Sequence, residues 1–143
     1  MTAQTLAEYL GGRRTLGRDI RSDLDLEAAI RIGLPVKAAE SVVKTGALRA
    51  PELHELVIPR RTLAHRKSSG GQLSSAQSDR LARVVRVVAT AEEAIGDGAK
   101  AARWLRKPSR ALQGRRPLDL LASDIGARLV EQELGHIEHG LGA

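Results

Sequence analysis

The sequence predicts an all-α protein, and three observations carry that reading. With no Phe, one Trp and one Tyr in 143 residues, the core must be built from Leu, Val, Ile and Ala. Sheet-favouring aromatics are therefore scarce, while Ala and Leu are strong helix formers. The longest apolar pattern, Leu81, Val84, Val85, Val88, Ala91 and Ile95, keeps the i, i+3, i+4, i+7 rhythm of a helix. No stretch alternates apolar and polar residues as a half-buried strand would.

Taken in order, residues 1–22 are polar, rich in Gly and Arg and weakly periodic, which predicts a frayed or partly helical arm. Asp23 or Asp25 can cap a helix running to about Ile32, where Gly33 stops it. Pro35 suits the first turn of a second helix that ends at Gly46. Ala50 to Leu56 reads as a short helix with Pro51 near its start, and after Val57-Ile58, Pro59 opens another that reaches about Lys67.

Ser68-Ser69-Gly70-Gly71 is the clearest linker, which sets expected boundaries at 1–22, 23–71 and 72–143. Beyond it, Ser74 and Gln77 form a capping box for the longest helix, Ser75 to Ile95, ended by Gly96. Val87 widens its apolar stripe, so this helix is expected to be central or to lie in a dimer interface. Asp97 caps a helix from about Gly98 to Arg106, halted by Pro108. Ser123 caps the last helix, which carries Ile125, Leu129, Val130, Gln132 and Leu134; Gly135 can bend it and Gly140 ends it.

Composition removes several classes of function. A chain of this length buries about two-thirds of its unfolded surface, enough for one good core or two small ones. Without Cys there is neither a disulfide nor a thiolate metal site, which fits the reducing cytoplasm. No run of about 18 apolar residues exists to span a membrane, and MTAQTLAEYLGG lacks the features of a secretory signal. No phosphate-binding Gly loop, nucleophile elbow or HExxH motif occurs. Asp23/Asp25 and Glu92/Glu93 read as helix-start or solvated charges. His136 and His139, near Glu133 and Glu138, fall short of a metal site. The expectation is a protein that is no enzyme and takes no cofactor or metal.

The formal charge of +6 suits a polyanionic partner, although solubility alone would account for it. Its placement says more. Residues 58–67 hold four Lys/Arg and no acid, and residues 99–116 hold seven and no acid. From Pro117 onward five acids face Arg128 alone. Two basic surfaces and an acidic tail point to more than one charged partner.

Leu48 to Lys67 is laid out as short helix, turn and second helix, the order of a helix-turn-helix, with Leu53, Leu56, Ile58 and Leu63 as its shared core. If the second helix enters a major groove, Arg60, Arg61, Thr62, His65, Arg66 and Lys67 meet DNA. Arg60 and Arg61 stand nearest the base edges, and the later basic residues grip phosphate. Two residues depart from the usual pattern. His54 stands where a small residue is common, and Val57 stands where Gly often takes a left-handed conformation. The competing reading is a solvated basic helix.

The stretch from Trp104 to Leu121, WLRKPSRALQGRRPLDLL, reads as a rigid recognition surface. Trp104 is either core filler, pinning its helix against the long one, or an exposed anchor for a partner. Arg115 and Arg116 sit in a turn between Gly114 and Pro117, bonded to helix-end carbonyls or Asp119, or else touching a partner, while Leu118, Leu120 and Leu121 are expected in the core.

Together with AEEAIGD, ARWLRKPSRAL, GRRPLDLL and GARLVEQELGHIEHG, this stretch resembles the toxin-binding domain of the Xre/MbcA/ParS antitoxin family. The resemblance implies a helix-turn-helix domain followed by a helical domain that binds and silences a toxin, as in type II toxin–antitoxin systems. It also implies a RES-type toxin that consumes NAD, with the antitoxin's C-terminal end occluding the toxin's NAD cleft. Trp104, Arg110, Arg115, Arg116, Glu138, His139, Gly140, Leu141, Gly142 and Ala143 are the expected toxin contacts. Operator DNA and a second copy, joined through the 75–95 helix, are the other expected partners. The alternatives are a stand-alone regulator whose C-terminal half only dimerises and a nucleic-acid-associated structural protein.

Overall fold

The computed structural model describes residues 1–140, so the expected contacts Leu141, Gly142 and Ala143 lie outside the described residues. All regular structure among those residues is helical: α1 (Ala3–Tyr9), α2 (Gly12–Leu16), α3 (Asp23–Ile32), α4 (Val36–Lys44), α5 (Ala50–Leu56), α6 (Arg60–Ser68), α7 (Ser75–Ile95), α8 (Gly98–Arg106) and α9 (Asp124–Glu138). Two 3-10 segments, Arg110–Leu112 and Pro117–Ala122, lie between α8 and α9. By internal contacts the chain forms two compact units, Met1–Val85 and Arg86–Ala143, dividing inside α7.

In the first unit the N-terminal residues take the partly helical form of the two expected of them, as α1 and α2, and they are packed rather than frayed. Thr2 caps α1 by accepting from the Thr5 amide at 3.1 Å. Leu6, Leu10 and Ile20 are buried, and α1 packs on both α2 and α3. A few apolar residues spaced four apart are enough to seat so short a helix on a neighbour, although they give little periodic signal. The cap of α3 is Ser22 rather than either aspartate: its hydroxyl accepts from the Asp25 amide at 3.2 Å. Asp23 and Asp25 occupy the first turn, where their charge complements the helix dipole.

The 68–71 turn is bonded into this unit. Gly71 O accepts from the Val36 amide at 2.8 Å, and Leu34 O accepts from the Leu73 amide at 2.8 Å. The buried Ser78 hydroxyl accepts from the Leu34 amide at 2.8 Å, which fixes the start of α7 to the same strap. Gly33 makes the approach possible. Its φ of 111° lies where L side chains strain, and a Cβ there would run into the carbonyl oxygen of Leu73.

The capping box of α7 forms as its sequence suggests: the Gln77 amide meets Ser74 Oγ at 3.1 Å and the Ser74 amide meets Gln77 Oε1 at 2.8 Å. Leu81, Val84, Val85, Val87 and Ala91 are fully buried. Of the two expected roles, the helix fills the central one within a single chain. A homodimer built on the 75–95 apolar stripe is therefore not supported, because that stripe is already covered.

In the second unit, Asp97 caps α8 by accepting from the Lys100 amide at 2.8 Å. Leu118, Leu120 and Leu121 are buried. The 3-10 segment bearing them packs against both α8 and α9. Gly126, in the first turn of α9, permits that closeness, since a Cβ there would meet the Leu120 carbonyl oxygen. Arg86 of α7 pairs with Glu131 of α9 at 3.0 Å.

Candidate functional site

The helix-turn-helix forms, and the two departures in its sequence have structural explanations. Val57 has φ −117° and ψ −59°, so the bend needs no left-handed residue and accepts a β-branched side chain. Val57 and Ile58 are buried and pull the turn inward. His54 is half-buried and its Nδ1 lies 3.2 Å from Ile58 O, so the ring bridges the turn where a small residue would only permit contact. Arg80 of α7 donates from Nε to Val57 O at 3.0 Å, satisfying a carbonyl at the end of α5.

No residue of α6 is fully buried, and the helix is held by its Thr62, Leu63 and Arg66 side, which is half-buried. Arg60, Arg61, Ala64, His65, Lys67 and Ser68 are exposed. At 100° per residue, Arg60, Arg61, Ala64, His65 and Ser68 share the outward face. The six expected DNA contacts therefore separate. Arg60, Arg61 and His65 are presented together; Thr62 and Arg66 lie toward the body; Lys67 is paired with Glu40 of α4 at 2.7 Å. Ala64 was missed because a reading by charge passes over alanine. A small side chain in the middle of the face lets backbone come close to a groove.

In the second unit α8 has a buried side, Ala101 and Leu105, and an exposed basic side, Lys100, Arg103 and Lys107. Trp104 is half-buried at the border of the two, so its ring is neither wholly core nor wholly surface. The next residues make a tight hairpin, with the Ser109 amide on Arg115 O at 3.0 Å and the Gly114 amide on Ser109 O at 2.8 Å. Arg110 and Arg115 are exposed on it.

Arg116 is held instead by Asp119, with Nε to Oδ2 at 2.9 Å and Nη2 to Oδ1 at 2.7 Å. This fork keeps the Asp119 carboxyl below its ordinary range, the hydrogen bonds from Arg116 acting first and burial opposing them. Asp97 is also lowered, chiefly because the Lys100 amide bonds the charged form.

The most unusual surface of this unit is the outer side of α9. Gly126, Ala127, Val130 and Leu134 face inward and are buried. On the opposite side Ile125 is 64% and Leu129 44% exposed. Gln132 and His136 continue the same stripe at i+7 and i+11. Sequence periodicity assigned Ile125 and Leu129 to the helix but could not tell that the core uses only the other face. Glu138, His139 and Gly140 are exposed at the far end of α9, about 20 Å along the axis from its first turn. Of the expected toxin contacts, Arg116 is tied to the Pro117–Ala122 segment that packs against α9, whereas Glu138, His139 and Gly140 lie at the other end of that helix. His136 contacts Glu133, Nδ1 to Oε1, at 3.4 Å.

Comparison with known proteins agrees with this division. Residues 25–86 match the antitoxin Xre-like helix-turn-helix domain. Residues 90–140 match the antitoxin Xre/MbcA/ParS C-terminal toxin-binding domain. The antitoxin Xre of Pseudomonas putida is 32% identical over 124 residues, 87% of this chain and 77% of that protein. The antitoxins Xre of Yersinia enterocolitica and Photorhabdus laumondii are each 32% identical over 130 residues, 90% of this chain and 88% of theirs. The helix-turn-helix that carries α6 and the helical unit that follows it in sequence are the two domains of the Xre/MbcA/ParS antitoxins, the family to which this chain belongs.

Proposed function

We propose that this chain binds and silences a RES-type toxin that consumes NAD, and that it represses its own operon through α6. The observation that carries the toxin reading is the outer face of α9. Ile125 and Leu129 are large, apolar and four residues apart on a helix whose core contacts are already complete. Such a pair gains by being covered, since its removal from water is worth about 1.5–3 kcal/mol per fully buried side chain. The exposed cations Lys100, Arg103, Lys107, Arg110 and Arg115 rim the same unit and suit an acidic partner surface. The tail from Glu138 onward, with its acid, suits a cleft that is basic because it takes a dinucleotide pyrophosphate. Binding by α9 and occlusion by the tail divide the work: the first supplies affinity, the second blocks the active site.

The operator reading rests on the outward face of α6, where Arg60, Arg61 and His65 stand together with no acid between them. In this reading the protein acts in the cytoplasm, beside its operon and its toxin. The test is a pull-down of the tagged chain with identification of the protein that comes with it. That protein, expressed alone, depletes cellular NAD, and co-expression with this chain prevents the loss. Recovery of the chain alone, or of a partner that leaves NAD untouched, contradicts the proposal.

A further inference from the structure

We infer that the basic face of α8 and the hairpin after it bind a single nucleic-acid strand, with a base stacked on Trp104. Residues 99–116 hold seven Lys/Arg and no acid, and the structure divides them. Arg106 turns back to the Ala102 carbonyl at 3.1 Å, and Arg116 is forked by Asp119. Lys100, Arg103, Lys107, Arg110 and Arg115 are exposed, and none makes an ion pair or a side-chain hydrogen bond among the described residues. Asp97, the acid that precedes α8, accepts from the Lys100 backbone amide at 2.8 Å rather than pairing with its ammonium.

These groups form a line with an aromatic ring in it. Lys100, Trp104 and Lys107 are spaced i, i+4 and i+7, so the ring stands between two ammonium groups over about 10 Å of the axis, with Arg103 on the flank. Beyond Lys107 the hairpin sets Arg115 opposite Ser109, one residue from Arg110. Trp104 borders the buried side of α8, and part of its ring reaches solvent. Helix stability does not call for these charges. Lys100 lies in the first turn of α8, where a cation opposes the helix dipole, and Arg110 and Arg115 lie outside any α-helix. Five like charges without local acids repel one another, and a partner with a dense line of negative charge removes that repulsion.

A single strand supplies both parts of the match: phosphates at close, regular intervals for the cations, and a base whose flat face stacks on an indole. In a duplex the bases are stacked on one another and are not free for the ring. An acidic protein surface meets the cations but offers carboxylates where the ring takes a flat, apolar partner. Phosphate and base face are common to RNA and DNA, so the two are expected to bind alike. The inference rests on neither the toxin reading nor the operator reading.

The chain has one Trp, so quenching of its fluorescence reports contact at this face directly. Oligo(dT) and oligo(U) are titrated into the full chain at several salt concentrations. Saturable quenching is expected, with log affinity falling against log salt at a slope of about −3.5, that of five phosphates neutralised on a single strand. Lys100→Ala/Lys107→Ala should bring the slope to about −2, and Arg60→Ala/Arg61→Ala should leave the quenching unchanged. With a labelled strand, Trp104→Leu is expected to weaken binding about tenfold and Trp104→Tyr to restore most of it. Absence of quenching overturns the inference. So does quenching that keeps its full slope in Lys100→Ala/Lys107→Ala, or that is lost in Arg60→Ala/Arg61→Ala. A random-sequence duplex or polyglutamate that quenches Trp104 at the same concentration as the strand overturns it too, since charge alone would then account for the face.

Discussion

Arg80 Nε donates to the carbonyl oxygen of Val57 across 3.0 Å, so the first half of α7 holds the bend that aims α6. The side chain is half-buried, and among the described residues no second protein donor reaches that carbonyl. Replacing it by Met keeps the aliphatic stem and removes the charged donor. Arg80→Met is expected to cost about 1–3 kcal/mol in urea unfolding, the usual penalty for stranding a buried acceptor. It should weaken operator binding while leaving the second unit's partner affinity unchanged.

Two glycines of α9 are expected to respond in opposite directions. Gly126→Ala drives a methyl into the Leu120 carbonyl oxygen, which is backbone and cannot step aside. A loss of about 1–3 kcal/mol follows from such overpacking. Gly135 has nothing within 4 Å of its Cβ position and lies inside the helix. Gly135→Ala should therefore stabilise by about 0.5–1 kcal/mol through helix propensity. Thermal unfolding of the two single variants checks both signs.

Much of the fold was legible because its boundaries are set by local chemistry. Ser74 with Gln77, Asp97 and Ser123 each place an oxygen where an unpaired amide needs one, and each helix starts there in the structure. The bounds of α5 and α7 could be read directly for the same reason. What stayed hidden depends on contacts distant in sequence. The docking of α1 on α3, the strap from Leu34 to Leu73 and Ser78, and the choice of one α9 face over the other are all of that kind. The candidate surfaces were legible by charge alone. Sequence could select Arg60 to Lys67 as basic, but not show that Lys67 is engaged by Glu40 or that Ala64 lies on the outward face. Nor could it show that Ile125 and Leu129 face solvent.

The fork between Arg116 and Asp119 gives the second unit a specific acid sensitivity. The Asp119 carboxyl is lowered in the folded chain, so its pairing contributes fully above the unfolded aspartate value of about 3.9. The contribution is lost as pH falls through the lower folded value. With both side chains roughly two-fifths exposed, it amounts to no more than about 1 kcal/mol. Arg116→Met should move the Asp119 titration, followed by carboxyl carbon NMR, back toward the ordinary range. It should also flatten the acid limb of the stability curve.

On α6 the exposed cations are expected to differ in their salt response. Arg60→Ala and Arg61→Ala should each lower the slope of log affinity against log salt by about 1 if that residue neutralises a phosphate. If it reads a base edge instead, sequence preference relaxes at one position and the slope holds. Lys67→Ala should change the slope less, because its ammonium is already matched by Glu40 at 2.7 Å. Operator titrations at four salt concentrations distinguish these cases.

The outer face of α9 is tested most directly by assaying NAD consumption by the co-purified toxin while it is titrated with this chain. Wild type is expected to abolish consumption at a fixed stoichiometry. The Ile125→Asp/Leu129→Asp variant, with the same melting temperature, should need about a hundredfold more protein, the effect of losing two contacts worth about 1–2 kcal/mol each. Inhibition by that variant equal to wild type, or a toxin indifferent to the wild-type chain, would contradict the assignment of this face.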